Sequence, residues 1–203
     1  MDDAKWKIRK ATAADGSDLV LLTDAATRRL ITWIFSLSAE VGQSPAEVAR
    51  RSMQSDETSV QHLRNWDVVE RSNGSNRGQV LGGLNSYRHP PVVDAPAESP
   101  TAPVLQPVND LKRIAEGSWY ISVASVFLEN RGEGIGHAIL ALGEQKARAA
   151  GCDRLTLLVG SFNEGAHRLY QRFGMHEGGR EAFVPFSGSD PDGDWILMVK
   201  DLI

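Results

Sequence analysis

Apolar residues recur along this chain with two periods, and the switches between them outline a set of elements. Period two comes first: in Trp6-Lys7-Ile8-Arg9 every second residue is apolar, and the turn-prone Asp15-Gly16-Ser17 follows closely, which predicts a first strand. The period then lengthens. Leu19, Leu22, Ala26, Leu30, Trp33 and Ile34 form one stripe at intervals of three and four, predicting one long helix capped by Asp15 or Ser17, with Arg28 and Arg29 on its solvated face. Ser44, Pro45 and Glu47 make a capping box with proline at the first helical position and start a second helix to about Met53. Gln54 to Asn65 has little periodicity and predicts no element. Trp66 to Glu70 and Val80 to Tyr87 flank the Ser72 to Asn76 turn cluster and predict an antiparallel hairpin.

Between Pro90 and Pro107 the pattern stops, and six of the nine prolines fall here. Proline removes backbone donors and holds the chain extended, so this stretch is expected to be neither a central strand nor a helix. A loop of this length points to a lid, a substrate-side wall, a partner surface or a plain insertion. Asn109 or Asp110 then caps a short helix that Gly117 stops, and Ser118 to Leu128 is the next strand. From Gly136, positions Ile139, Leu142, Gly143, Lys146, Ala147 and Ala150 recur at helical spacing, with Gly151 as the stop. Leu155 to Val159 is almost continuously apolar, as in a strand buried on both faces and paired in parallel after a crossover helix. Asn163 caps a last helix with Ala166, Leu169, Tyr170 and Phe173 as its stripe. Met175 to Val184 and Trp195 to Val199 are strands around a turn-rich 187–194. No internal repeat is present.

Composition narrows the class. At 203 residues and 41% hydrophobic content, one domain with one sizeable core is expected. A net charge of −4 without a basic run argues against nucleic acid as a partner. The single cysteine, Cys152, cannot form an internal disulfide or a cysteine-based zinc site and reads as a buried small hydrophobe. Met1-Asp2-Asp3 lacks the basic-then-apolar start of a signal peptide, and the apolar Leu30 to Leu37 is too short to span a bilayer. A soluble, cytoplasmic protein is the expectation, with no membrane partner.

The chemistry gathers where the strand through Val123 and Val126 runs into Arg131-Gly132-Glu133-Gly134-Ile135-Gly136-His137 and on into a helix. A helix N-terminus offers unpaired N–H groups and the positive end of a dipole, and glycines let the backbone close on an anion. Spacing decides which anion. A nucleoside-triphosphate loop needs a lysine at the turn, and none stands here; a dinucleotide loop needs glycine where His137 stands, and an earlier place in the chain.

The first of these motifs, Arg131 to Gly136, followed some thirty residues on by Asn163, Ala166, Leu169, Tyr170, Phe173, Gly174 and Met175, resembles the GCN5-related N-acetyltransferase (GNAT) superfamily. The resemblance covers the whole element order and is sharpest from Trp119 to Met175. It implies an α+β, three-layer fold: a mixed, mostly antiparallel sheet of six or seven strands flanked by helices, with a parallel strand pair splayed at the cofactor site. The chain would be one domain, 1–203, with a proline-rich insertion at about 90–108. By the same resemblance the protein is an N-acetyltransferase that moves an acetyl group from acetyl-CoA to the primary amine of a small molecule by direct attack in a ternary complex, with no metal.

The site residues follow from the family's motifs. The amides of Arg131, Gly132, Glu133, Gly134, Ile135, Gly136 and His137 would hold the pyrophosphate of coenzyme A, Glu133 with its side chain turned away. Val126 and Leu128 would pair with the pantetheine arm, and Asn163, Ala166 and Tyr170 would complete the cofactor contacts. The Val126 amide would polarise the thioester carbonyl, Tyr170 would serve as general acid, and Glu116, ahead of His89 and Glu129, as general base. Two positions depart from the family: Leu128 stands where proline is common, and Glu133 where a basic or amide residue is common. Trp33, Tyr87, Trp119 and Tyr120 line an acceptor pocket or belong to the core. A protein N-terminus or lysine is the alternative acceptor, and a non-catalytic acyl-CoA-binding sensor or interaction module the alternative of another class. Besides the amine, a second copy of the chain, as a homodimer, is admitted as a partner.

Overall fold

The computed structural model describes residues 5–189 and 192–202; Met1, Asp2 and Asp3, and Asp190 and Pro191 of the expected last turn, lie outside them. The elements are β1 (Trp6–Lys10), α1 (Gly16–Thr27), α2 (Leu30–Ser38), α3 (Pro45–Ser55), β2 (Trp66–Arg71), β3 (Val80–Arg88), α4 (Ala102–Ile114), β4 (Trp119–Val126), α5 (Ile135–Ala149), β5 (Arg154–Gly160), α6 (Glu164–Arg172), β6 (His176–Ala182) and β7 (Asp194–Asp201). The seven strands form one mixed sheet in the order β1-β2-β3-β4-β5-β7-β6. The β4–β5 ladder is parallel, while β1–β2, β2–β3, β5–β7 and β6–β7 are antiparallel. Among the described residues no helix is long and apolar enough to cross a membrane.

The chain divides into two compact units, Met1–Asn85 with Val123–Ile139, and Ser86–Ser122 with Leu140–Ile203. In the first, the apolar stripe of α1 meets the sheet: Leu19, Leu22, Met53, Trp66, Val68 and Val123 share one buried cluster. The predicted long helix is broken here. Arg28 (φ 52°) and Arg29 (φ 69°) are left-handed, α1 ends at Thr27, and the helix restarts at Leu30. The N–H groups of both arginines are held near the end of α1 by the carbonyl of Asp24. After the break α2 packs on α3, and burial of its apolar side chains there favours the turn. Asp15 occupies the expected N-cap position of α1, but its side chain makes no capping hydrogen bond there. Its carboxylate accepts from the Thr12 N–H at 2.7 Å and from Arg9 Nη1 at 2.8 Å, closing the preceding 3-10 turn, while Ser17 lies inside α1. The capping box on α3 forms as predicted, with the Glu47 N–H 3.2 Å from Ser44 Oγ.

The second unit corrects the reading of the proline-rich stretch. Its last third is helical: α4 starts at Ala102, seven residues ahead of the expected cap at Asn109, and contains both Pro103 and Pro107. Pro103 sits in the first turn, where its missing N–H would have had no helical partner anyway. Pro107 then deprives only the carbonyl of Pro103, four residues back, of its donor. What holds the helix is its buried stripe, Val104, Pro107, Val108 and Leu111, packed on β6 and β7. In the same unit β5 is buried through Leu155, Thr156 and Leu157 and pairs in parallel as Trp119↔Leu155, Tyr120↔Thr156 and Ile121↔Leu157, the first three residues of β4. Cys152 is buried.

Candidate active site

In the first unit, β4 stops at Val126 and the Phe127 N–H is taken by the Leu81 carbonyl at 3.0 Å. Leu128, expected on the strand edge, lies instead in a 3-10 turn, Leu128–Asn130, and its carbonyl accepts from the Arg131 N–H. The chain then passes through Gly132 (φ 84°) and Gly134 (φ 81°), both in the left-handed region that only glycine enters without strain. At neither position does any heavy atom lie within 4 Å of where a Cβ would be, so conformation and not crowding demands glycine, and the space above is open. α5 begins at the buried Ile135, and the Ala138 N–H donates to the Gly134 carbonyl at 3.1 Å. Among the described residues, the N–H groups of Gly132, Glu133, Gly134, Ile135 and Gly136 meet no acceptor. Consecutive free amides at a helix start form an anion-binding concavity.

The side chains around it are anchored. Arg131 is exposed, with Nε donating to the Val126 carbonyl at 3.2 Å. Glu133, an uncomfortable charge beside a phosphate, is answered by Arg71 from the end of β2, at 3.7 Å. Arg71 Nη2 also donates to Asn130 Oδ1 at 2.8 Å. Asn130 is buried, and its Nδ2 has no hydrogen-bond partner among the described residues. Free amides, open space and an orphaned amide nitrogen together fit a polyanionic ligand. Arg71 carries no signal in the sequence: it lies 59 residues from Asn130, and only the course of β2 brings it here. His137 is exposed in the first turn of α5.

Within the second unit, Asn163 caps α6, its Oδ1 accepting from the Ala166 N–H at 3.2 Å. Tyr170 is buried, and burial pushes its phenol up to about 12, so the hydroxyl keeps its proton at neutral pH. His167 is half-buried, and its Nε2 is enclosed without a partner among the described residues.

A second group stands at the start of β4, in the same unit. His89 is buried, with Nδ1 2.6 Å from the Pro90 carbonyl; since a carbonyl only accepts, Nδ1 carries the hydrogen and Nε2 the lone pair. Burial lowers its pKa, with the charge of Lys112 pushing the same way and that of Glu116 opposing. The ring meets Tyr120 edge-on at 4.8 Å, and Tyr87 lies 5.8 Å from Tyr120 and 6.2 Å from His89. Lys112 of α4 reaches over Tyr120, Nζ 5.6 Å from the ring centroid. Glu116 is exposed, and its Oε1 accepts from the Val92 N–H at 2.8 Å. The structure thus gathers Glu116, His89, Tyr87 and Tyr120, while Trp33 belongs to α2 of the first unit. Glu129 lies in the first unit too, lining an open polar groove of about 530 Å³ with Arg9, Asp15 and Asp18.

Comparisons with known proteins bear on the fold and the family. Among curated proteins, no sequence matches the chain. Solved structures do: an N-acetyltransferase of Staphylococcus aureus Mu50 superposes with a TM-score of 0.62 at 20% identity, over 98% of this chain and 100% of the other. The Salmonella typhimurium protein yncA, solved with its cofactor acetyl-CoA, gives 0.60 at 16% identity over 98% and 95%. The ribosomal-protein-alanine N-acetyltransferase of Brucella melitensis gives 0.60 at 21% identity over 97% and 99%. At these identities the likeness is one of fold. Residues 42–175, more than half of the chain and including both the glycine turn and the Asn163 to Met175 motif, match the Acetyltransferase (GNAT) family, and the protein belongs to that family.

Proposed function

We propose that the protein is an N-acetyltransferase that moves the acetyl group of acetyl-CoA to the primary amine of a small molecule by direct attack. The observation that carries this reading is the row of free amides from Gly132 to Gly136 behind an open, glycine-lined turn. Bound there, acetyl-CoA supplies an acetyl group already activated as a thioester. The amides and Arg131 would hold the pyrophosphate, with Asn130 and Arg71 keeping the turn in shape. The N–H of Val126 is the proposed donor to the thioester oxygen. Asn163 and Ala166 belong to the proposed cofactor contacts through the start of α6.

The leaving thiolate needs a hydrogen-bond donor, and Tyr170 is the proposed one. A phenol at about 12 is a weaker acid than a thiol of roughly 8.5, so its part is to stabilise charge on sulfur by a hydrogen bond, with complete proton transfer left to solvent. For the base, His89 has the better chemistry: it is neutral at pH 7 and presents a lone pair on Nε2, whereas the exposed Glu116 already accepts from Val92. Glu116 then assists by favouring the protonated imidazole through its charge. Nε2 would take the proton as the C–N bond forms and the nitrogen turns acidic.

The test is incubation with acetyl-CoA and a panel of amines, following release of free thiol, beside calorimetry of acetyl-CoA binding. Thiol release with at least one amine is expected. Tight binding with no turnover across the panel would overturn the reading in favour of an acyl-CoA-binding sensor.

A further inference from the structure

Lys112 of α4 has no task in the proposed reaction. Lys112 is half-buried and, among the described residues, its ammonium has neither a hydrogen-bond nor an ion-pair partner; its company is the face of Tyr120 at 5.6 Å. Neighbouring charges on α4 are matched: Arg113 is paired with Asp94 and with Asp110. Glu116, one turn after Lys112, is engaged by Val92. Burial lowers the Lys112 pKa, and no acidic group counters it. An ammonium taken out of water without a counter-ion is costly, and an aromatic face returns only part of that cost. A carboxylate arriving from solvent would return the rest, and partial exposure leaves it a way in.

We propose that Lys112 recognises a carboxylate on the acceptor, so that the substrate is an amine with a carboxylate close to its nitrogen, such as an α-amino acid. This rests on the acetyltransferase reading and deepens it. Lys112 and His89 border the same Tyr120 ring, at 5.6 and 4.8 Å, so one compact ligand can place its nitrogen at His89 Nε2 and its carboxylate at Lys112. Tyr87 and Tyr120 supply apolar walls for whatever lies between. A protein N-terminus has an amide where an amino acid has its carboxylate and leaves the lysine unmatched.

The experiment separates binding from turnover. The intact protein with coenzyme A is titrated calorimetrically with N-acetylglycine, N-acetylalanine, N-acetylmethionine and N-acetylphenylalanine, each beside its primary amide. At least one acid is expected to bind tenfold or more tighter than its amide. Lys112→Met, whose side chain keeps the stem of the lysine, should reduce that preference below twofold with coenzyme A affinity unchanged, and Lys112→Arg should keep most of it. Acids and amides binding within twofold of each other, no binding by any acid, or a preference that survives Lys112→Met overturns the proposal. Thiol release from acetyl-CoA with the parent amino acids is read separately. Acid preference without thiol release sinks the transferase reading and leaves the carboxylate site standing; release with carboxylate-free amines at equal KM does the reverse.

Discussion

Tyr170 and Glu133 show how far a single residue can be read before its neighbours are known. Tyr170 sits on the apolar stripe of α6, and its burial is what any core tyrosine would show; its candidacy came from the motif around it. Burial makes a prediction possible, because a phenol pushed up to about 12 stays protonated through the neutral range and remains a donor. Tyr170→Phe keeps the packing and deletes the donor. Turnover should fall by about 100-fold, within the range for loss of an acid or of a developing-charge donor, while acetyl-CoA affinity changes little. Steady-state kinetics beside calorimetry checks both halves, and unchanged turnover removes Tyr170 from the reaction. Glu133 is the opposite case. Its charge was visible in the sequence as a difficulty, but the arginine that answers it was not, since Arg71 is distant in the chain and arrives only with β2.

At the scale of elements, local rules served best where one local force dominates. The capping box set the start of α3, the apolar run of β5 matched a buried parallel strand, and Asn163 capped α6. They failed where tertiary burial outweighed local preference. Two prolines argued against α4, yet the buried stripe from Val104 to Leu111 holds it on β6 and β7. An unbroken stripe argued for one helix, yet the chain turns at Arg28 and Arg29 so that α2 can lie on α3. That second case costs energy that can be recovered. A non-glycine residue in the left-handed region is disfavoured by about 1–2 kcal/mol, and glycine loses part of the gain through the freedom of its unfolded chain. Arg29 is exposed, so Arg29→Gly should stabilise the protein by about 0.5–1 kcal/mol, seen as a higher urea midpoint with an unchanged slope. A lower midpoint would mean that the arginine side chain holds the turn.

Taken over the whole molecule, the ionisable groups set a direction for stability against pH. In the first unit, hydrogen bonds from Arg9 hold the carboxyls of Asp15 and Glu70 below their usual range; in the second, Lys200 does the same for Glu144. A group with a lowered folded pKa binds fewer protons folded than unfolded, so its contribution is complete above the unfolded value and lost as pH falls through the folded one. For these carboxyls the loss begins near pH 4.5 and grows below it. His89 and His167 also have lowered pKa values, both mainly from burial, so the same sign applies from a higher start: their contribution is complete above about pH 6.5 and declines on acidification as the unfolded chain protonates first. Asp18, raised by burial and by Asp15, works in the other direction and softens the lower part of the curve. Tm should therefore be level between about pH 7 and 8, decline gently below about 6.5 and drop steeply below about 4.5. Thermal denaturation followed by circular dichroism across this range is the measurement. His89→Asn should flatten the first segment while leaving the second, because it removes a group that must charge inside the fold. A Tm that rises between pH 7 and 5 would show that the buried histidines gain stabilising partners when protonated, and would remove the basis for treating His89 as a neutral base.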